Sequence, residues 1–285
     1  MDKANIPKVL IIAGSDSSGG AGVQADIKTC AAFGVYTSTA ITAITAQNTV
    51  GVQDIMNVPP KLVREQIKSV LSDVGADVIK IGMLGDSDII KAVAEEIEDS
   101  NAFIILDPVM VASTGSVLLE KGSIDCLKSN LLPLADLITP NVPEAELLTG
   151  NIINDVDDLV RSGEFLLSQN SYSALMKGGH LKGKSVFDVL VTNEGANIMS
   201  GPRLNSRHTH GTGCTLSSGI ASCIALGASI EEAVISSREF VYEAIKSAPK
   251  LGQGNGPLNH GLVNTNSASS QPTDVNNPFS VLKSL

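Results

Sequence analysis

The chain reads as an α/β protein with a central, mostly parallel sheet and helices on both faces. Three observations predict this. Strand-like and helix-like segments alternate through most of the 285 residues, the order that builds a parallel sheet. The strand-like segments are short unbroken apolar runs, as in strands buried on both faces. Six of them lead into residues able to face a ligand, namely Asp16, Gln47, Met83, Asp107, Asn141 and Lys177, and open parallel sheets bind ligands beyond the C-terminal ends of their strands.

In order, residues 1–7 form a loose start, and Lys8-Val9-Leu10-Ile11-Ile12-Ala13 is the first strand. It runs into Gly14-Ser15-Asp16-Ser17-Ser18-Gly19-Gly20-Ala21-Gly22, a glycine-rich strand-to-helix turn. No Gly-Lys-Ser/Thr follows, so this is not a Walker A loop, and the full dinucleotide fingerprint is also missing. The helix after it carries Gln24, Asp26 and Lys28; a carboxylate such as Asp26 in the first turns also complements the helix dipole. Tyr36 to Ala46 is β-branched and alternating, hence a strand. Gln47-Asn48-Thr49 ends it; carboxamides there can read a heterocycle through paired donor and acceptor bonds, and asparagine is equally a turn former.

Helical periodicity over Lys61–Asp73 precedes a strand at Asp77–Gly82, which ends at Met83-Leu84. Asp86–Glu98 is a helix with Asp or Ser as cap. Ala102–Leu106 is a buried strand stopped by Asp107-Pro108. Ser123–Leu131 is helical, Asp136–Thr139 a strand stopped by Pro140-Asn141, and Glu144–Leu148 and Asp155–Ser168 are helices. Ser173–Met176 is a strand ending at Lys177-Gly178-Gly179, and Phe187–Val191 with Asn197–Met199 reads as a hairpin. From Val263 the chain turns polar and low in complexity, predicting a flexible tail over 263–285 behind one domain at 1–262. Within that tail Pro278-Phe279 and Val281-Leu282 could dock back onto the surface.

Composition narrows the function. Hydrophobic residues make up 43% and charged residues 18%, enough for one large domain with a full core. The formal charge is −10 and the pI about 4.8, which disfavours nucleic acid or an anionic membrane as partner. Cys30, Cys126, Cys214 and Cys223 form no CxxC pair, so metal-ligand spacing is missing. Neither a signal peptide nor a membrane-length apolar run is visible. The expectation is a cytoplasmic protein with reduced thiols.

One stretch concentrates the chemistry: His210-Gly211-Thr212-Gly213-Cys214-Thr215, followed by a run of small and apolar residues that can wind into a closely packed helix. A glycine-rich turn opening a helix aims unpaired N–H groups and the positive end of the dipole at one point, suited to a phosphate or an oxyanion. Cys214 stands on its rim, where that field lowers a thiol pKa. The alternative is a tight turn that only caps a buried helix.

These segments together resemble the hydroxymethylpyrimidine/phosphomethylpyrimidine kinases of thiamine biosynthesis, within the ribokinase-like superfamily. The resemblance runs from about Lys8 to His260. It rests on Ala-Gly-Ser-Asp-Ser-Ser-Gly-Gly-Ala-Gly-Val-Gln-Ala-Asp-Ile-Lys at 13–28, Thr-Ala-Gln-Asn-Thr at 45–49 and Lys-Ile-Gly-Met-Leu at 80–84. It continues with Asp-Pro-Val-Met-Val-Ala at 107–112, Thr-Pro-Asn-Val-Pro-Glu-Ala-Glu at 139–146 and Lys-Gly-Gly-His at 177–180. The last blocks are His-Gly-Thr-Gly-Cys-Thr-Leu-Ser at 210–217 and Gly-Gln-Gly-Asn-Gly-Pro-Leu-Asn-His at 252–260.

The resemblance implies a ribokinase-like fold and a kinase using ATP and Mg²⁺. Its substrates would be 4-amino-5-hydroxymethyl-2-methylpyrimidine and then the monophosphate, and its assembly a homodimer. Pyridoxal kinase is the alternative from the same scaffold, and a non-catalytic pyrimidine- or nucleotide-binding regulator the alternative from another class. By the same resemblance Gln47 bonds the aminopyrimidine, Asp26 lies near its hydroxymethyl and amino end, Gly14 and Asp16 belong to the substrate site, and Met83 and Val111 wall the pocket. Asn141, Thr212, Asp107 and Lys177 lie at ATP, and Glu144 holds Mg²⁺, partly through water. Gly211, Gly213 and Cys214 form the anion hole. Sugar kinases of the superfamily carry an aspartate base after Gly-Thr-Gly. Here Cys214 stands in that place, either as base or as bystander to the amides. Some family members carry Lys where this chain has Gln253. His180, His208, His210 and His260 make no metal constellation, and His210 positions the turn. Lys80 reads as structural, and Cys30, Cys126 and Cys223 as small buried residues.

Overall fold

The computed structural model describes residues 6–110, 118–119, 121–169, 171–261 and 280–283. Among the described residues ten strands form one sheet: β1 (Lys8–Asp16), β2 (Tyr36–Gln47), β3 (Val52–Asn57), β4 (Val78–Ile81), β5 (Phe103–Leu106), β6 (Leu137–Ile138), β7 (Ala174–Lys177), β8 (Ser185–Thr192), β9 (Gly195–Pro202) and β10 (Ser280–Lys283). Their spatial order is β10-β9-β8-β7-β6-β5-β4-β1-β2-β3. The run β2-β1-β4-β5-β6-β7 is parallel, and β3, β8, β9 and β10 each pair antiparallel with a neighbour. The chain leaves β1 toward β2 on one side and returns to β4 on the other, so strand order reverses at β1, where a crevice opens beyond the strand ends.

The helices are α1 (Gly22–Ala32), α2 (Pro60–Asp73), α3 (Ser87–Ile97), α4 (Lys121–Asn130), α5 (Val142–Thr149), α6 (Val156–Ser168), α7 (Thr212–Ala225) and α8 (Ile230–Lys246). Side chains of a strand alternate between faces, and the central strands are apolar on both. In β1, Leu10 and Ile12 enter the layer shared with α2 and α3, while Val9, Ile11 and Ala13 enter the layer shared with α1, α7 and α8. Helix α7 is buried at every position from Thr215 to Cys223. Small residues allow this: a Cβ on Gly219 would lie 2.8 Å from Ser237 Oγ of α8. The closely packed helix expected after the Gly211 turn is therefore present.

Three elements go beyond the sequence reading. β3 extends β2 into an exposed ribbon, with Ile44 paired across to Met56. α8 begins at a capping box in which Ser229 and Glu232 bond each other's backbone N–H. β10 pairs with β9 through Ser280–Lys283, the stretch of the expected tail that is described; Val111 and the other residues of 262–285 lie outside the described residues.

Candidate active site

A cavity of about 750 Å³ opens at the C-terminal ends of the parallel strands. That is ample for a drug-sized ligand. Gly14 and Asp16 of β1, Gln47 of β2, Met83 after β4, Asp107 after β5, Asn141 and Glu144 at the start of α5, Lys177 of β7 and Gly211–Cys214 all line it. So every described residue of the sequence-derived site is brought to one crevice except Asp26.

Asp26 is fully buried beneath the crevice and does not line it. Its two oxygens accept from Lys80 Nζ at 3.0 and 3.1 Å, and Ser218 Oγ donates to Oδ1 at 2.7 Å. Burial is the largest influence on the Lys80 ammonium and would lower its pKa, but Asp26, Cys214 and Asp107 together outweigh it and raise it. Lys80 itself lines the cavity, so Asp26 reaches the site only through its partner.

Two glycine-rich turns meet at the opposite wall. Gly211 caps α7 at φ 82°, the left-handed region, and a Cβ there would stand 1.8 Å from the Gly20 carbonyl oxygen. Both the backbone angle and the contact demand glycine. Within the first turn the Asp16 carboxylate accepts from the N–H groups of Ser18, Gly20 and Ala21. It also bonds His210 Nε2 at 2.8 Å. Asp16 is thus a clasp between the two turns. The segment at 252–260 closes on the same region: Asn255 N donates to Thr49 O at 2.8 Å and His210 N to Gly256 O at 3.1 Å. Motifs distant in sequence converge there.

Charge is concentrated at the other end. Lys177 Nζ donates to Asp107 Oδ1 at 2.8 Å. Asp107 also accepts from Thr139 Oγ1 and Ser217 Oγ. Burial pushes the Asp107 carboxyl up, yet Lys177 and Lys80 outweigh it and hold the group below its usual range. Burial likewise opposes the Lys177 charge, while Asp107 and Glu144 raise its pKa. A Cβ on Gly213 would lie 3.3 Å from Lys177 Nζ, so the turn and the lysine face each other closely.

Asn141 and Glu144 form a capping box: Glu144 N donates to Asn141 Oδ1 at 3.0 Å and Asn141 N to Glu144 Oε2 at 2.8 Å. Glu144 is 4% exposed. Burial pushes it up to about 7, against the pull of Lys177. Among the described residues no group of three His, Cys, Asp or Glu could cage a metal. An under-compensated carboxylate beside an open cavity does fit a cation held mainly by water and phosphate, which is how Mg²⁺ binds in most nucleotide sites.

Cys214 departs from the sequence expectation. A helix N-terminus should lower the thiol, but burial pushes it up to about 12. Lys80 pulls it down, and Asp26 and Asp107 push it further up.

Sequence reasoning missed a further buried pair. Arg238 Nε of α8 donates to Asp188 Oδ2 at 2.8 Å, and Asp188 Oδ1 accepts from Gly178 N at 2.9 Å. The backbone next to Lys177 is thereby tied to α8. The available signal was Asp188 itself, a charge inside the apolar run Phe187–Val191.

The family model described as phosphomethylpyrimidine kinase matches residues 16–259. The hydroxymethylpyrimidine/phosphomethylpyrimidine kinase of Haemophilus influenzae is 44% identical over 262 residues, covering 90% of this chain and 97% of that protein. The thiamine biosynthesis bifunctional protein ThiED of Geobacter sulfurreducens is 44% identical over 256 residues, 90% of this chain. This chain spans about half of that longer relative, 52% of its length. Among solved structures, the Staphylococcus aureus pyridoxal kinase in complex with AMP-PCP and pyridoxal superimposes with a TM-score of 0.84 at 34% identity, covering 92% of this chain and 96% of that one. Phosphomethylpyrimidine kinase from Clostridium difficile gives 0.75 at 43% identity, covering 85% and 100%.

Proposed function

Because this chain belongs to the phosphomethylpyrimidine kinase family, we propose that it uses ATP to phosphorylate 4-amino-5-hydroxymethyl-2-methylpyrimidine and then the resulting monophosphate. The observation that carries this reading is the single cavity that Gln47 shares with Lys177, Glu144 and the N-terminus of α7. One end offers a heterocycle paired donors and acceptors, and the other offers a phosphate chain cations and amides.

Phosphoryl transfer asks for in-line positioning and for neutralisation of charge on the transferred group. Gln47 orients the pyrimidine, with Gly14 and Met83 as wall; a Cβ on Gly14 would stand 2.9 Å from Met83 Sδ. The N–H groups of Gly213 and Cys214 open α7, where no intrahelical acceptor is available. They bind the oxygens of the moving group. Lys177 turns from Asp107 toward phosphate, and Thr212 and Asn141 contact the nucleotide. Glu144, with waters, would hold Mg²⁺, which would supply charge neutralisation when bound. The acceptor hydroxyl loses its proton late in a loose transfer, so little is asked of a base.

The finer assignments follow. The chain works as a homodimer, because the β2–β3 ribbon leaves Ile44 at 47% and Met56 at 62% exposure for a second copy to cover. Four free cysteines fit the reducing cytoplasm. The kinase domain spans residues 1–262, and the segment after it, whose Ser280–Lys283 adds an edge strand beside β9, is dispensable for chemistry.

The deciding experiment is a purified-enzyme assay with ATP and, separately, the hydroxymethylpyrimidine, its monophosphate and pyridoxal. Turnover of both pyrimidines is expected. Turnover of pyridoxal alone would replace this reading with that of a pyridoxal kinase.

A further inference from the structure

An arginine that the mechanism above does not use gathers the loop that follows Lys177. Residues 178–184 join β7 to β8. Arg203, directly after β9, donates from three different nitrogens to three carbonyls of that loop. Nε bonds Gly183 O at 2.9 Å, Nη1 bonds Gly179 O at 2.8 Å and Nη2 bonds Leu181 O at 2.6 Å. The backbone N–H of Arg203 donates to Lys184 O at 2.9 Å. A guanidinium only donates and a carbonyl only accepts, so each of these bonds has one possible sense.

The loop needs such a tie. Gly178, Gly179 and Gly183 are three of its seven residues, and glycine loses more conformational freedom on ordering than any other residue. Asp188 holds the first N–H of the loop, at Gly178. Beyond it, the carbonyls of alternate residues 179, 181 and 183 converge on one guanidinium plane.

The same loop borders the charged end of the cavity. Gly179 and His180 line it, as does Arg203. Burial, then the charges of Lys177 and Arg203, hold the His180 imidazole below its ordinary pKa, so both cations lie near that ring. β7 is five strand spacings from β2, which carries Gln47, on the order of 20 Å. A change in the loop can therefore reach the Lys177 end and spare the pyrimidine end.

We propose that Arg203 is a positioning residue for ATP, which holds the 178–184 loop ready as a wall beside Lys177 before the nucleotide arrives. The inference rests on ATP occupying the Lys177 end. A ligand that must order a loop as it binds loses affinity by doing so. Arg203 removes that cost in advance. Its effect belongs to ATP binding and not to the transfer step, since the loop is ordered in either case once ATP is bound.

The test measures ATP affinity by calorimetry, KM for ATP, KM for the pyrimidine and kcat in wild type, Arg203→Met and Arg203→Lys. Hydrogen exchange is followed in peptides covering 177–185. Methionine keeps an apolar stem and removes all three side-chain bonds. Lysine keeps the charge, but its single nitrogen cannot reach three carbonyls spread around a guanidinium plane. Arg203 is exposed, so its bonds compete with water and the effect is moderate. Both variants should weaken ATP about tenfold, which corresponds to about 1.4 kcal/mol. Loss of binding alone leaves kcat and the pyrimidine KM within about twofold of wild type. Exchange at the Leu181 N–H, which Gly178 O accepts at 3.0 Å, should quicken in both variants. Full ATP affinity in Arg203→Lys with a loss in Arg203→Met would make Arg203 a direct charge for the nucleotide and overturn the positioning role. Weaker ATP binding with unchanged exchange over 177–185 overturns it as well. So does an equal rise in KM for ATP and for the pyrimidine, the mark of general loosening. Should Arg203→Met fail to fold, Arg203→Lys carries the same expectations for affinity and exchange. A wild type that binds no ATP removes the kinase reading together with this one, whereas wild-type binding that neither variant weakens removes this one alone.

Discussion

Two lysine–aspartate pairs sit under the same cavity and are built differently. Lys80 and Asp26 are both completely buried, and the aspartate is saturated by two bonds from Lys80 and one from Ser218. Lys177 is 12% exposed against 1% for Asp107, and Glu144 adds a second carboxylate to the same lysine. The sealed pair has no room to change partner. The open pair holds two acids against one base and can release its cation to an incoming anion. The same residue types thus serve as keystone in one place and as working charge in the other: both lysines line the cavity, and what separates them is that Lys80 keeps no exposed surface while Lys177 keeps 12%.

The sharpest way to break this contrast is at the sealed pair. Removing one member of a buried ion pair costs about 3–5 kcal/mol, because the other charge is left uncompensated. That is a large part of a typical total stability of about 5–15 kcal/mol. Lys80→Met should lower the denaturation midpoint accordingly, and Lys80→Met/Asp26→Leu should recover most of it. Normal stability with lost turnover in Lys80→Met would transfer the working role to the sealed pair.

At the open pair the expectation is inverted. Lys177→Met/Asp107→Asn removes one charge of each sign, and Glu144, already raised to about 7, can take up a proton, so the double variant should melt near wild type. Its kcat should still fall about 10²–10³-fold, the scale of one lost electrostatic contact to the transition state. Near-normal kcat in the folded double variant would show Lys177 to be structural after all.

The same contrast marks how much was legible in the sequence. The strand ends were readable because a doubly covered parallel strand is an unbroken apolar run and its polar successor stands out. β3 was not, since its alternation is weak and it exists by pairing with β2 rather than by covering a core. The Ser229-x-x-Glu232 spacing could have flagged α8. The place of Asp26 was illegible because its partner lies 54 residues away. The direction of the Cys214 shift was misjudged because the helix terminus is a local feature of the sequence, whereas burial is a product of the whole fold.

A smaller effect tests the excess acid at the open pair. The folded value of Glu144, about 7, lies above its ordinary value near 4.5. The native state therefore binds the proton more tightly, and wild type loses stability as pH rises from about 4.5 through 7. Glu144→Gln removes that loss while a glutamine can still complete the capping box. With about 1.4 kcal/mol per pKa unit and about 2–4 °C per kcal/mol, the variant should melt on the order of 10 °C above wild type at pH 8, and level with it near pH 4.5. A variant that melts lower at pH 8 would mean that the carboxylate is already well compensated.

Cys214 lies between the two pairs and feels both. Burial pushes its thiol up to about 12, and the charges of Lys80, Asp26 and Asp107 act on it in opposite directions. Between pH 6 and 9 the sulfur then keeps its proton, so a thiolate base would require the bound substrates to pull it down by about three orders of magnitude in acidity or more. The N–H groups of Gly213 and Cys214 need no such shift, and Cys214→Ser leaves them in place. Loose phosphoryl transfer also asks little of a base. We therefore expect Cys214→Ser to cost less than about tenfold in kcat, well under the 10²–10⁴ typical of a lost general base. The pH profiles of the two proteins should superimpose up to pH 9, and iodoacetamide should alkylate Cys214 slowly in the wild type. A loss beyond about a thousandfold in a folded Cys214→Ser protein, with a rising limb present only in the wild type, would make the thiolate the base and reduce the amides to a secondary role.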